Sequence, residues 1–132
     1  MSDPSLALQG AVINTLRAAG TEAGQDVFDT VPARDPFPRI TVGSGQTIPA
    51  DEDCYEGSET FMQVDVWSRE PGYPQVKRIA WAVRQALHNK DIGLIGHTLE
   101  LLKVTSTTFE RDPDGLTSRA RMTLRALTQP AD

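Results

Sequence analysis

Residues 58–88 read SETFMQVDVWSREPGYPQVKRIAWAVRQALH, and this stretch decides the fold. Phe61, Gln63, Asp65 and Trp67 fall on one side of an extended run, with Met62, Val64 and Val66 on the other. Glu70, Pro71, Gly72 and Tyr73 then break the alternation with the two strongest local punctuators. Beyond them the period becomes helical: Val76, Ile79, Ala80, Val83 and Leu87 form one apolar stripe. The stretch is a strand, a tight turn and an amphipathic helix.

Towards the N-terminus, Ser2 or Asp3 is placed to cap a helix that has Pro4 in its first turn, where the missing N–H costs nothing. Leu8, Val12, Leu16 and Ala19 line one face of that helix, and Gly20 is a natural stop. Residues 21–38 are broken by Gly24, Pro32, Pro36 and Pro38, leaving room only for a short strand over Asp26, Val27, Phe28 and Asp29. Residues 39–43 predict another strand, with Pro38 at its start, where a proline is tolerated. Residues 44–57, SGQTIPADEDCYEG, predict the one long irregular segment, and a loop of that length in a compact domain is usually functional or mobile.

Towards the C-terminus, Asn89, Lys90 and Asp91 form a helix exit, and residues 92–96 a short apolar connection. Residues 97–109 predict a strand in which Leu99 and Leu101 share one face and Leu102 and Val104 the other. That switch implies a bulge or burial on both sides. Asp112, Pro113, Asp114 and Gly115 make a turn in which proline presets one dihedral and glycine supplies the positive one. The final strand alternates cleanly, Ala120, Met122, Leu124 and Ala126 pointing one way and Arg119, Arg121, Thr123 and Arg125 the other. The expected fold class is α+β: a mainly antiparallel sheet of four to five strands with two amphipathic helices packed on one face. With 132 residues, one core and one domain over residues 1–132 are expected.

Composition narrows the function classes. No apolar run approaches the roughly 18 residues of a membrane span, and a basic-then-apolar leader is not apparent at the N-terminus. One cysteine, Cys54, cannot close an internal disulfide, which fits folding and use in a reducing cytoplasm. The net charge of −5 disfavours a dedicated nucleic-acid binder, though not a wall past which DNA slides.

Catalytic constellations are not evident. The acids Asp51, Glu52, Asp53, Glu56 and Glu59 lack the spacing and mid-loop glycine of a calcium loop and read as a solvated segment. Acidic neighbours would raise the Cys54 thiol pKa, the wrong direction for a nucleophile. His88 sits where a positive charge suits the last carbonyls of the second helix, and His97 has no nearby partner with metal-ligand spacing. Residues 43–45, Gly-Ser-Gly, lack the lysine and helix start of a phosphate loop. No catalytic residue, metal ligand or cofactor is therefore expected. Arg119, Arg121 and Arg125 form the feature most open to function. They read as a solvated face paired with local acids, as an intersubunit contact with the acidic segment, or as a DNA contact, in that order. Trp81 falls off the apolar stripe and is either an exposed aromatic suited to an interface or a cover for the sheet's edge.

The ordered set of Leu8 to Ala11, Val31-Pro32, residues 38–42, Val66-Trp67-Ser68-Arg69, Ala86-Leu87-His88 and residues 111–117 (RDPDGLT) resembles the tail-completion family of long-tailed phages and gene transfer agents. Proteins of that family are also called tail terminators or head-to-tail joining proteins. The resemblance implies a non-enzymatic virion protein that forms a homo-hexameric ring at the head-proximal end of the tail. Such a ring stops polymerisation of the tail tube protein and docks the head-neck stopper protein. DNA passes its bore without sequence-specific binding, and no membrane is involved. Assembly in the bacterial host cytoplasm, then residence in the neck or tail of the particle, is the implied location. The resemblance places no individual residue on a contact; exposed chemistry alone nominates Asp51, Glu52, Asp53, Glu56, Trp81, Arg119, Arg121 and Arg125 as candidate subunit or partner contacts. The alternatives are another neck or tube component (stopper or adaptor) and a small oligomeric enzyme or ligand-binding domain.

Overall fold

The computed structural model describes residues 3–49 and 57–131. Helix α1 (Pro4–Ala18) starts where Asp3 accepts a hydrogen bond from the Ser5 N–H at 2.8 Å, with Pro4 in the first turn. Strands β1 (Val27–Phe28), β2 (Arg39–Pro49) and β3 (Ser58–Ser68) follow, then helix α2 (Pro74–Leu87) and strands β4 (His97–Arg111) and β5 (Ser118–Pro130). The five strands form one sheet in the order β1-β2-β3-β5-β4. The β1–β2 pair is parallel and the other three pairs are antiparallel. The expected α+β class holds, with one short parallel edge added.

Both helices cover one face. Leu8, Val12 and Leu16 of α1 and Val76, Ile79, Val83 and Leu87 of α2 are buried against the sheet. Beneath them lie Ile40 and Val42 of β2, Met62, Val64 and Val66 of β3, Leu102 of β4, and Ala120, Met122, Leu124 and Ala126 of β5. Each fully buried large aliphatic side chain contributes about 1.5–3 kcal/mol of transfer free energy. Every residue of the α2 stripe and of the β5 apolar set read from the sequence is in this core. Ala19 is not: it caps the end of α1 and is exposed.

The join between β3 and α2 is fixed from two strands. Tyr73 occupies the N-cap without a capping side-chain bond. Ser68 instead accepts from the Glu70 N–H at 3.1 Å and donates to Gln75 at 2.6 Å, while Ser118 of β5 donates to the Gly72 carbonyl at 2.9 Å. Both serines are buried, so the turn is tied to the sheet rather than to solvent.

Two expectations change. Residues 44–49 are not irregular: β2 continues through Pro49, with a register shift between Val42 and Gly45. Its outer half is held by pairing with β3, from Gly45 opposite Met62 to Pro49 opposite Ser58. The expected bulge in β4 is present between Leu99 and Leu101, and a second lies between Val104 and Ser106.

His88 also plays a different part from the charged cap expected. Its backbone N–H closes α2 on the Arg84 carbonyl, but its ring Nδ1 accepts the Val104 N–H at 3.0 Å, beside the second bulge. Asn89 adds an N–H to the Leu102 carbonyl at 2.8 Å. The exit of α2 thus occupies part of the free edge of β4, and an acceptor nitrogen there requires a neutral ring. Desolvation, then Arg84 and Lys103, hold the imidazole below its ordinary value. A depressed histidine pKa means the unfolded chain takes up the proton first. The bond therefore stabilises fully above the ordinary imidazole range, and its contribution is lost as pH falls through about 6.5 and below. NMR titration is expected to show His88 protonating below a free histidine, with the Val104 amide resonance moving in step. An ordinary His88 titration that leaves Val104 unmoved would remove this role.

Candidate assembly surfaces

The uncovered face of the sheet is a charge ladder closed within the chain. Opposite Trp67, Asp65 and Phe61 on β3 stand Arg119, Arg121 and Arg125 on β5. Arg119 donates to Asp65 at 2.9 Å and lies 3.7 Å from Glu110 of β4. Arg121 is 3.5 Å from the same Glu110, and Arg125 pairs with Glu59. The Arg119 guanidinium also lies 4.5 Å from the centre of the Trp67 ring, whose indole N–H donates to Thr41 at 3.0 Å. The arginine stripe is therefore oriented as its alternation implies, and the partners shown are local acids of neighbouring strands.

At one edge the ladder continues into residues 35–39. Arg39 and Arg69 both lie over Phe37, 4.2 and 4.0 Å from its ring centre, and both contact Asp35. Nothing in the spacing of these residues marked the cluster, because Phe37, Arg39 and Arg69 converge only through the pairing of Arg39 with Trp67. Asp51, Glu52, Asp53 and Glu56, with Cys54, lie outside the described residues.

The helical layer carries a different surface. Trp81 is 58% exposed, so it does not cover the sheet; its ring is 5.4 Å from the Arg84 guanidinium. It stands beside an open groove of 750 Å³ between the helices, floored by small residues including Ala18 and Ala19 of α1 and Ala82 and Ala86 of α2. Arg78 at the rim is engaged by Glu22 through two bonds of 2.9 and 3.1 Å. A second groove of 430 Å³ runs between Leu6 of α1 and Ile95, the latter 92% exposed.

The turn between β4 and β5 is unusually well held for an exposed tip. The Asp114 carboxylate accepts from the backbone N–H groups of Leu116 and Thr117 at 2.8 and 2.9 Å and from the Thr117 hydroxyl at 2.7 Å. Those bonds, led by the one from the Thr117 backbone, hold its pKa below the usual carboxylate range. The loop so fixed presents Leu116 with 71% of its surface exposed. Sequence reading passed over Leu116, because a lone apolar residue in a turn belongs to no period.

Among the described residues, no three His, Cys, Asp or Glu side chains converge as a metal site, and no helix is long and apolar enough to cross a membrane. The distinctive chemistry lies on surfaces: a paired ladder, an aromatic groove and a rigid apolar tip. A sheet that carries such groups at its surface suits a structural subunit. The chain belongs to the family of tail completion protein gp17, whose model matches residues 7–129. The fold is also that of a chain in a structure titled "Virion of native gene transfer agent (GTA) particle". The two share 23% identity and a TM-score of 0.85, over 98% of this chain and 99% of that one. No curated protein matches the sequence.

Proposed function

We propose that this chain is a tail terminator: a structural subunit that closes the head-proximal end of a tail tube as a ring, hexameric as its family resemblance implies. The ring stops addition of further tube protein, offers its opposite side to the head-neck stopper protein, and leaves a bore through which DNA passes without base-specific contact. Assembly takes place in the cytoplasm of the bacterial host, and the subunit remains in the neck of the phage-like particle.

Membership of the tail completion family over residues 7–129 carries this reading. The surface chemistry supports it. The arginines of the sheet face are engaged by Asp65, Glu110 and Glu59, which suits a wall that DNA slides past rather than one that grips phosphates. A net charge of −5 acts in the same direction. Loss of the gene product, followed by electron microscopy of the particles made, tests the role. Overlong tails or tails without heads are expected; joined particles with normal tails would refute it.

A further inference from the structure

We infer that the β4–β5 turn of one copy docks, Leu116 first, into the groove beside Trp81 on the helical layer of the next copy. This rests on the ring reading above and names the contact that would build the ring.

Three observations carry it. First, Leu116 is displayed rather than merely left outside. Three hydrogen bonds to one carboxylate fix the backbone that holds it, so little conformational freedom remains to be lost on docking. A rigid exposed leucine can seat in a shallow, open groove, and the one beside Trp81 offers Ala18, Ala19, Ala82 and Ala86 as its apolar lining. Second, the charges match. Asp112 and Asp114 place negative charge beside the tip, while Arg84, 5.4 Å from the centre of the Trp81 ring, places positive charge beside the groove. Third, the tip cannot fill its own groove. The base of the turn is tied to the N-terminal end of α2, through Ser118 to Gly72 and through Arg111 lying 5.1 Å from the Tyr73 ring. Trp81 is eight residues further along, about 12 Å at the helical rise. The tip projects beyond the ends of β4 and β5, while the helix runs back the other way.

A tip and a groove at different places on one subunit make a heterologous contact. Repeated from copy to copy, it closes into a ring when the rotation allows. It also leaves the charge ladder and the sheet's open face uninvolved, so they remain available to the bore or to other neck proteins.

Disulfide trapping in assembled particles tests the contact, using full-length protein in which Cys54→Ser removes the native thiol and Leu116→Cys is combined with Ala82→Cys. Mild oxidation is expected to give a ladder of covalent oligomers, and neither cysteine alone gives more than background. Particles with normal, joined tails and no ladder would overturn the contact while leaving the ring reading standing. Independently, Leu116→Asp and Trp81→Glu, both at exposed positions, are each expected to weaken self-association at least tenfold without changing the circular dichroism spectrum. Mixed together they restore one intact junction, so a one-to-one dimer is expected and no larger species. Either variant producing normally terminated tails on its own would also overturn the proposal.

Discussion

Gly45→Ala is expected to lower the unfolding free energy by about 3 kcal/mol, at the upper end of what overpacking usually costs. A Cβ built at Gly45 falls 2.0 Å from the Phe61 carbonyl oxygen and 3.0 Å from the Met62 Cα. Those are backbone atoms of the paired strand, which no rotamer change can move aside. The position is also where the β2–β3 register shifts, so either the shift must migrate or the outer half of β2 must separate from β3. A loss of that size lowers the melting temperature by about 10 °C in a chain of this length. Hydrogen exchange should localise it: protection is lost at Gln46 to Ile48 and their partners Glu59 to Phe61, while Met122 and Leu124 stay protected. Gly10→Ala is the matched control, since a Cβ there meets nothing within 4 Å and an alanine suits a helix interior. A melting temperature for Gly45→Ala within about 2 °C of the parent would mean the pairing tolerates a shifted register.

That glycine also shows where sequence reading stopped. The strand and helix of residues 58–88 were legible because burial imposes a period, two for Met62, Val64 and Val66, nearly four for Val76, Ile79, Val83 and Leu87. Residues 44–49 carry no such mark. Gly45, Gln46 and Thr47 bury nothing apolar, and their strand exists because β3 offers a partner, a cause that lies outside the segment. The parallel pairing of Val27 and Phe28 with Ile40 and Thr41 is invisible for the same reason. At the surfaces, the outward direction of Arg119, Arg121 and Arg125 followed from alternation. Their partners did not, because Asp65, Glu59 and Glu110 are brought close by cross-strand register, which for Glu110 the two bulges in β4 help to set. Trp81 stood off the stripe in the sequence and is exposed in the fold.

The pairing on the sheet face has its own energetic signature. Asp65→Ala is expected to destabilise the fold by about 2 kcal/mol, less than for a fully buried pair because some solvent reaches both groups. The Asp65 and Arg119 side chains are 12% and 22% exposed, and the Asp65 carboxylate also accepts from Gln63 at 2.9 and 3.2 Å. Without that carboxylate the Arg119 guanidinium keeps its charge, since arginine does not deprotonate, and its Nε already makes no hydrogen bond. What remains is the Trp67 ring at 4.5 Å and Glu110 at 3.7 Å. The larger part of the cost is thus a stranded cation rather than a lost attraction. Asp65→Ala combined with Arg119→Met removes the cation and keeps an apolar chain on Trp67. The double variant should therefore regain all but about 1 kcal/mol of the parent's stability in urea unfolding. If the double variant is as unstable as Asp65→Ala alone, the pair matters for its attraction, and the ladder is part of what holds the sheet together. If it recovers, the ladder's acids serve mainly to keep the arginines satisfied. A DNA or protein partner reading this face would then have to displace Asp65, Glu110 or Glu59 first.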